Sequence, residues 1–397
     1  MAAYISRMRS NADDNGHAGS RQSGALAAAF GGLIALAAAM GVGRFVYTPI
    51  LPPMVEALGL SGSVAGLIAS ANFLGYLVGA LAAAAPILPG PRRFWLIGAL
   101  ALSAITTGGM GLTQSLTLFL LLRFVGGLAS AFVLILASAV VLERVTAAGR
   151  AGLASLHFSG VGVGIAVSAI MVAVLLQAGA SWRSLWLASG ALSVAAAFAA
   201  AVLLRDGRAP PRVASGDAGR PAGRGLTRLI VAYGLFGFGY VITATFLVAI
   251  VRGTPMIRSL EPVIWVMFGL AAAPSVAFWT LIATRRGIPA AFALACVVEA
   301  AGVAASVVWP SEIGIFLAAI LVGGTFMGLT ALGLERARSL ASGDPRRVLA
   351  LMTSAFGLGQ IVGPAFAGAV SDWLGGFTAP SMAAMLALVA AAALAGW

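Results

Sequence analysis

The sequence predicts an all-α integral membrane protein with twelve transmembrane helices in two pseudo-symmetric six-helix bundles. Three observations predict it. The chain of 397 residues is 60% hydrophobic and only 9% charged, against about 25% charged in a soluble globular chain, and its mean hydropathy is +1.02. The apolar residues fall into twelve runs, each long enough to cross a hydrocarbon core of ~30 Å at ~1.5 Å per residue. Short motifs recur between the two halves at a nearly constant offset.

Charged or turn-forming residues bound every run. Helix 1 (24–50) begins with an uncharged stretch from Gly24 to Ala39, carries Arg44 and reaches a proline cluster at Pro49, Pro52 and Pro53. Helix 2 (63–87) starts after the G-L-S-G turn at 59–62 and stops at Pro86. Helix 3 (94–112) follows Arg92 and Arg93; helix 4 (116–142) ends at Glu143–Arg144. Helix 5 (151–176) starts after Arg150, and helix 6 (184–204) lies between Arg183 and Arg205. Helix 7 (228–251) runs from Arg228 to Arg252, helix 8 (262–283) from Pro262 to Arg285, and helix 9 (288–308) from Gly287 to Pro310. Helix 10 (312–334) is framed by Glu312 and Glu335, helix 11 (348–370) by Arg347 and Asp372, and helix 12 (378–397) follows Gly375–Gly376. The stretch 205–227, rich in Arg, Gly and Pro, reads as a linker between bundles at 24–204 and 228–397, and residues 1–23 as a polar tail. Helix 1 carries basic residues before it and an A-x-A pattern at Ala37 and Ala39, as a signal peptide would. Cleavage there would leave eleven helices, so it is read as an uncleaved span.

The net charge is +12, and with no lysine present all 24 basic residues are arginine. Nineteen of them fall in the tail and in every second connection, three (Arg183, Arg252, Arg258) in the opposite connections, and Arg44 and Arg123 inside helices. That asymmetry predicts both termini in the cytoplasm. The basic balance is therefore topological and gives no reason to expect nucleic acid. One cysteine, Cys296, excludes an intramolecular disulfide and a cysteine metal cluster. With two histidines, His17 and His157, no metal site is expected. No cofactor is implied: there is no phosphate-binding G-x-x-x-x-G-K-[ST] loop. No acid pair or nucleophile–base arrangement suggests an enzyme. Energy must then come from an ion or solute gradient.

The repeat is carried by "GVGRFVYT" from Gly41 with "GFGYVITA" from Gly237, by "VVLERV" around Glu143 with "LGLERA" around Glu335, and by "SGVGVG" from Ser159 with "FGLGQI" from Phe356. Their offsets are 196, 192 and 197. Parallel six-helix repeats about an axis along the membrane normal, with a midplane site between them, are a known transporter plan.

The whole chain resembles the major facilitator superfamily (MFS), and more narrowly its bacterial YbfB/YjiJ-type branch. The residues that carry this are "GRFVYTPILPPM" (43–54), "GLSGSVAGLIASANFLGYLVGAL" (59–81), "GFGYVITATFL" (237–247) and "FGLGQIVGPAFAGAVSD" (356–372). "RFVGG" (123–127) is similar to the superfamily's R-x-x-x-G motif and "WRSLW" (182–186) to its helix 5–6 turn. The loop "PILPGPRRF" (86–94) keeps the arginines of the usual gating motif without its aspartate, and helix 5 lacks the G-P-x-x-G-G pattern of antiporters. The resemblance implies the MFS fold, a small-molecule substrate, a proton or other coupling ion and a bacterial inner-membrane location in the lipid bilayer; the oligomeric state is not readable from the sequence, with a monomer the default expectation. The branch does not define the cargo. A uniporter of the same fold, and a receptor or scaffold that moves nothing, are the alternatives.

Several residues are candidates. Arg44 reads either as a snorkelling anchor or as a cavity-facing cation that selects a solute with an anionic group, with Tyr240 its repeat counterpart. Tyr47, Asn72, Tyr76, Thr243 and Gln360 are candidate pathway residues, with interhelical glue the other reading of Asn72, Tyr76 and Gln360. For Arg123 the resemblance implies proton coupling or gluing of helices. Glu299 is the acid buried farthest from any helix end. A carboxyl at that depth is protonated unless a partner charge holds it ionised, and it reads either as a proton carrier or as a neutral interface group. His157 is either buried and titratable or wetted. Arg92, Arg93, Glu143, Arg144, Glu335 and Arg336 are candidates for a cytoplasmic gate.

Overall fold

In the computed structural model the described residues are 24–84, 90–204, 223–341 and 345–395. The tail 1–23 and linker residues 205–222 lie outside them. Twelve membrane-length helical spans are present among the described residues: α1 (Gly24–Leu58), α2 (Gly62–Ala84), α3 (Arg92–Leu112), α4 (Leu116–Ala147), α5 (Leu153–Gln177), α6 (Trp182–Leu203), α7 (Arg224–Gly253), α8 (Pro255–Ala272, continued by Ser275–Arg286), α9 (Ile288–Val308), α10 (Glu312–Leu340), α11 (Pro345–Leu374) and α12 (Thr378–Ala395). An even number of alternating spans puts Gly24, Leu204, Gly223 and Ala395 at one end, the near end; the turns after α1 and α7 mark the far end.

The spans match the predicted runs, and their edges differ in informative ways. α1 runs on to Leu58 although prolines sit at 49, 52 and 53. A proline removes one donor from a helix without ending it when the freed carbonyl finds another partner. α4 and α10 extend past Glu143 and Glu335 to Ala147 and Leu340, because charged residues at a membrane surface continue a helix freely. For the same reason α7 begins at Arg224, so the linker is shorter than 205–227. α8 is broken at Ala273–Pro274.

Large apolar side chains such as Leu74, Ile105, Phe198, Phe278 and Leu386 are exposed, a surface suited to lipid. The two halves join along three helix pairs: α2 with α11, α5 with α8, and α1 with α7. α3 packs against α4 and α6, and α9 against α10 and α12, inside their own halves. On the α1–α7 seam the Thr48 hydroxyl donates to the Ala244 carbonyl at 2.7 Å, across 196 positions. That separation is the repeat offset read from the sequence, so equivalent residues meet where the two halves face each other.

Candidate functional site

The site starts from a break in α1. Residues 24–36 are α-helical, Ala37–Val42 form a π-helical turn, and the α-helix resumes at Tyr47. The backbone N–H groups of Gly43 and Phe45 donate five residues back, to Ala38 (2.8 Å) and Met40 (3.2 Å). Glycines 41 and 43 weaken the helix here, and Pro49 offers no N–H to Phe45, whose carbonyl instead accepts from Thr48 at 3.2 Å. π-bulges of this kind gather at functional sites.

Arg123 of α4 fills the gap the break leaves. Its Nη1 donates to the Gly43 carbonyl and its Nη2 to the Arg44 carbonyl, both at 3.1 Å. The guanidinium also lies 4.9 Å from the Tyr47 ring. Asn72 of α2 donates to the Arg123 carbonyl at 2.8 Å, and the Tyr47 hydroxyl to the Ala65 carbonyl at 2.8 Å. Arg123, Tyr47 and Asn72 therefore form one clamp inside the first half, the geometry of helix gluing. Arg123→Met should lower stability by about 3 kcal/mol, two charged hydrogen bonds at roughly 1.5–3 kcal/mol each less what water recovers. Thermal unfolding in detergent measures it, and an unchanged Tm would remove the clamp.

The clamp holds Arg44 on the other side of the break. Arg44 is 3% exposed. Its guanidinium carbon lies 4.4 Å from the Phe73 ring centroid, 4.3 Å from that of Tyr76 and 5.4 Å from that of Phe45. Its Nε and Nη2 are buried with no hydrogen-bond partner. Phe45 meets Phe326 of α10 at 5.8 Å, and Phe326 stacks on Tyr240 of α7 at 5.6 Å. Tyr240 also stacks on Phe356 of α11 at 5.8 Å and on Phe236 at 5.2 Å. The Gln360 amide nitrogen donates to the Tyr240 hydroxyl, while Gln360 Oε1 and Thr243 Oγ1 are buried without a partner. The structure thus joins Arg44, Tyr76, Tyr240 and Gln360 into one centre built by both halves. Tyr47 and Asn72 belong to the clamp instead. The aromatic partners Phe73, Phe326 and Phe356 were not singled out from the sequence, where phenylalanines in apolar helices carry no distinguishing signal.

Glu299 of α9 is fully buried within the second half, with both carboxyl oxygens lacking a hydrogen-bond partner and Thr325 of α10 beside it. His157 is buried, not wetted, and its Nε2 is 2.9 Å from the Ser138 hydroxyl. Arg92, Glu143, Arg93 and Arg336 make contacts within their own halves. Arg92 pairs with Glu143 at 3.8 Å, Arg93 donates to the Ala201 carbonyl at 3.0 Å and Arg336 to Ser339 at 3.4 Å. Arg144 and Glu335 sit beside them at the ends of α4 and α10.

At the far end, charged contacts cross between the halves. Asp372 of α11 accepts from the N–H groups of Gly62 (2.7 Å) and Ser63 (2.8 Å) and from the Ser63 hydroxyl (2.5 Å), capping the start of α2 from the other half. Arg252 Nε meets Glu56 at 3.3 Å, and Arg258 meets the same carboxyl oxygen at 3.8 Å. Sorting acids by end, as the arginines were sorted, would have set Glu56, Glu261 and Asp372 beside Arg252 and Arg258.

Comparison with known proteins fits this architecture. A mutant form of the nucleoside transporter NupG superposes with a TM-score of 0.66 at 16% identity, covering 92% of this chain and 97% of that one. A bacterial homologue of the human lysosomal transporter Spinster, solved inward-facing and unoccupied, gives 0.70 at 16% identity, covering 95% and 96%. A chloramphenicol resistance protein of Streptomyces lividans is 28% identical over 370 residues, 90% of this chain and 92% of that protein. The family model described as "Uncharacterised MFS-type transporter YbfB" matches residues 36–396, and the chain belongs to that family of MFS transporters.

Proposed function

We infer that the protein is a secondary transporter that moves a small solute bearing an anionic group by alternating access, with protons as the coupling ion. One observation carries the reading: Arg44, a buried cation with unused donors, sits at a helix break between the halves. A charge at the core of a bilayer costs roughly 2.5–3.5 kcal/mol on insertion scales and marks substrate or ion pathways. Arginine's fixed fork suits a carboxylate or phosphate. The sealed far end supports alternating access, since a closed end is half of such a cycle. Glu299 supports proton coupling: it is a buried acid with free oxygens in the half that holds Tyr240.

Purified protein in proteoliposomes should take up an organic anion against its gradient only when a pH gradient is imposed. Glu299→Gln should stop uphill uptake and spare exchange. Uptake that ignores the pH gradient would leave a uniporter.

The arginine asymmetry supports a cytoplasmic near end in a bacterial inner membrane. Reporters fused at Gly90 and Gly149 should report cytoplasm, and at Ser61 and Thr254 the outside; the reverse at any two would overturn it.

A further inference from the structure

A chamber of about 300 Å³ opens between the halves at the far end, with α1 and α5 on one side and α7 and α8 on the other. That volume is at the lower bound for small-molecule sites. Pro49 lines it, five residues past Arg44, or ~7.5 Å along a helix. The chamber thus lies on the far-end side of the central cluster and shares no side chain with it. Its walls are mainly apolar, and its polar groups are Gln177, Arg252, Arg258, Ser259, Glu261 and Trp265.

Those groups are incompletely used. Arg252 Nε lies 3.0 Å from Glu261 and 3.3 Å from Glu56, but Nε and Nη1 are both buried with no hydrogen-bond partner, as is Glu261 Oε1. Trp265 is 1% exposed, and its Nε1–H has no acceptor. A buried donor left unmatched is costly, and both of these side chains border one cavity. Arg258, 60% exposed, adds positive charge at the rim. Aromatic rings lead inward from there. Trp265 stacks on Phe268 at 4.4 Å, Phe268 meets Phe326 at 5.6 Å, and Phe326 stacks on Tyr240.

We propose that this chamber is a second recognition site, for a small organic monoanion with a compact apolar body. The anion accepts from Arg252 and Trp265 while its body lies against the apolar wall. Arg252 then turns from Glu56, which comes from the other half, and one ion pair holding the far end shut is loosened. Placing the chamber on a transport route rests on the transporter reading; the binding does not.

The test is equilibrium binding to the full chain in detergent, read by Tm and calorimetry, with benzoate as probe and benzamide as its neutral isostere. Benzoate should raise Tm in a concentration-dependent way and benzamide should not. Arg252→Gln should weaken benzoate by about tenfold or more. Trp265→Phe keeps the ring, loses the N–H and should weaken it by about two- to tenfold. Arg286→Gln, an exposed arginine at the near end, should leave this binding within about twofold. Equal effects of benzamide and benzoate, no benzoate binding at millimolar concentration, full affinity in Trp265→Phe, or loss of binding in Arg286→Gln would each overturn the proposal. Should Arg252→Gln fail to fold, Trp265→Phe and the benzamide comparison still decide it. Chamber binding without flux of any anion would uphold the chamber and count against the central transport reading.

Discussion

Arg44→Gln should raise the Tm of the unliganded protein and abolish transport. The two effects share one cause. Arg44 makes no ion pair, and Nε and Nη2 find no acceptor in the protein. What it has is the faces of Phe73 and Tyr76, worth about 0.5–2 kcal/mol each as cation–π contacts, and a hydrogen bond with the Tyr76 hydroxyl. An arginine at bilayer depth costs roughly 2.5–3.5 kcal/mol, about what these contacts return, and two buried donors are still left unpaired, so a neutral side chain of similar length should relieve the unliganded fold. The same change removes the charge proposed to recognise the solute, and transport should fall by at least about 100-fold, matching the loss of a charged pair at roughly 3 kcal/mol. Arg44→Lys separates charge from shape. It keeps the cation but loses the planar fork and the flat stacking on two rings, so transport should again fall sharply with little gain in Tm. Tyr240→Phe removes one hydroxyl and should cost about 0.5–1.5 kcal/mol of affinity. A snorkelling anchor would behave in the opposite way, with Arg44→Gln lowering Tm and leaving flux intact.

The parts of this fold that were legible in the sequence are those carried by one-dimensional signals. Apolar runs end where arginines, prolines and glycines stand, so twelve spans could be counted, with edges off by a few residues wherever a charge extends a helix instead of stopping it, as at Glu143 and Arg224. The repeat offset of 196 between Arg44 and Tyr240 reappears as the Thr48–Ala244 hydrogen bond. Arg44, Tyr240 and Gln360 stood out because polar groups are rare in such runs. What could not be read is held by partners without a sequence signature. Arg123 is held through Nη1 and Nη2 by two backbone carbonyls, which every residue has, so nothing in "RFVGG" says which ones. Asp372 is satisfied largely by backbone N–H groups of α2. Glu56 and Arg252 are far apart in sequence and are brought together only when the two bundles lean on each other.

That leaning rests on close helix contact, and a single methyl group should undo it. Gly162 of α5 and Gly269 of α8 face each other across the two halves. A Cβ at Gly162 would stand 2.3 Å from the Ala273 backbone nitrogen and 2.6 Å from the Gly269 carbonyl oxygen. Both obstacles are backbone, so neither can rotate away, and the helices must part. Overpacking of this kind costs about 1–3 kcal/mol, which at 1.36 kcal/mol per tenfold shifts a two-state equilibrium by about 5- to 150-fold. The cost falls on the arrangement described here, in which α5 and α8 touch across the halves. Gly162→Ala should therefore favour an open far end and slow the cycle without unfolding either bundle. Ser70 reports it well, because its hydroxyl donates to the Ile361 carbonyl across the α2–α11 seam. In a Cys296→Ser background, Ser70→Cys should react slowly with an impermeant thiol reagent added from the far end, and about tenfold faster once Gly162→Ala is added. Gly160→Ala is the control. Its Cβ would stand 2.1 Å from the Leu33 carbonyl oxygen, inside the first half, so it should lower Tm and leave Ser70→Cys protected. If Gly162→Ala leaves the thiol unreactive and transport at full rate, this seam is not the moving contact.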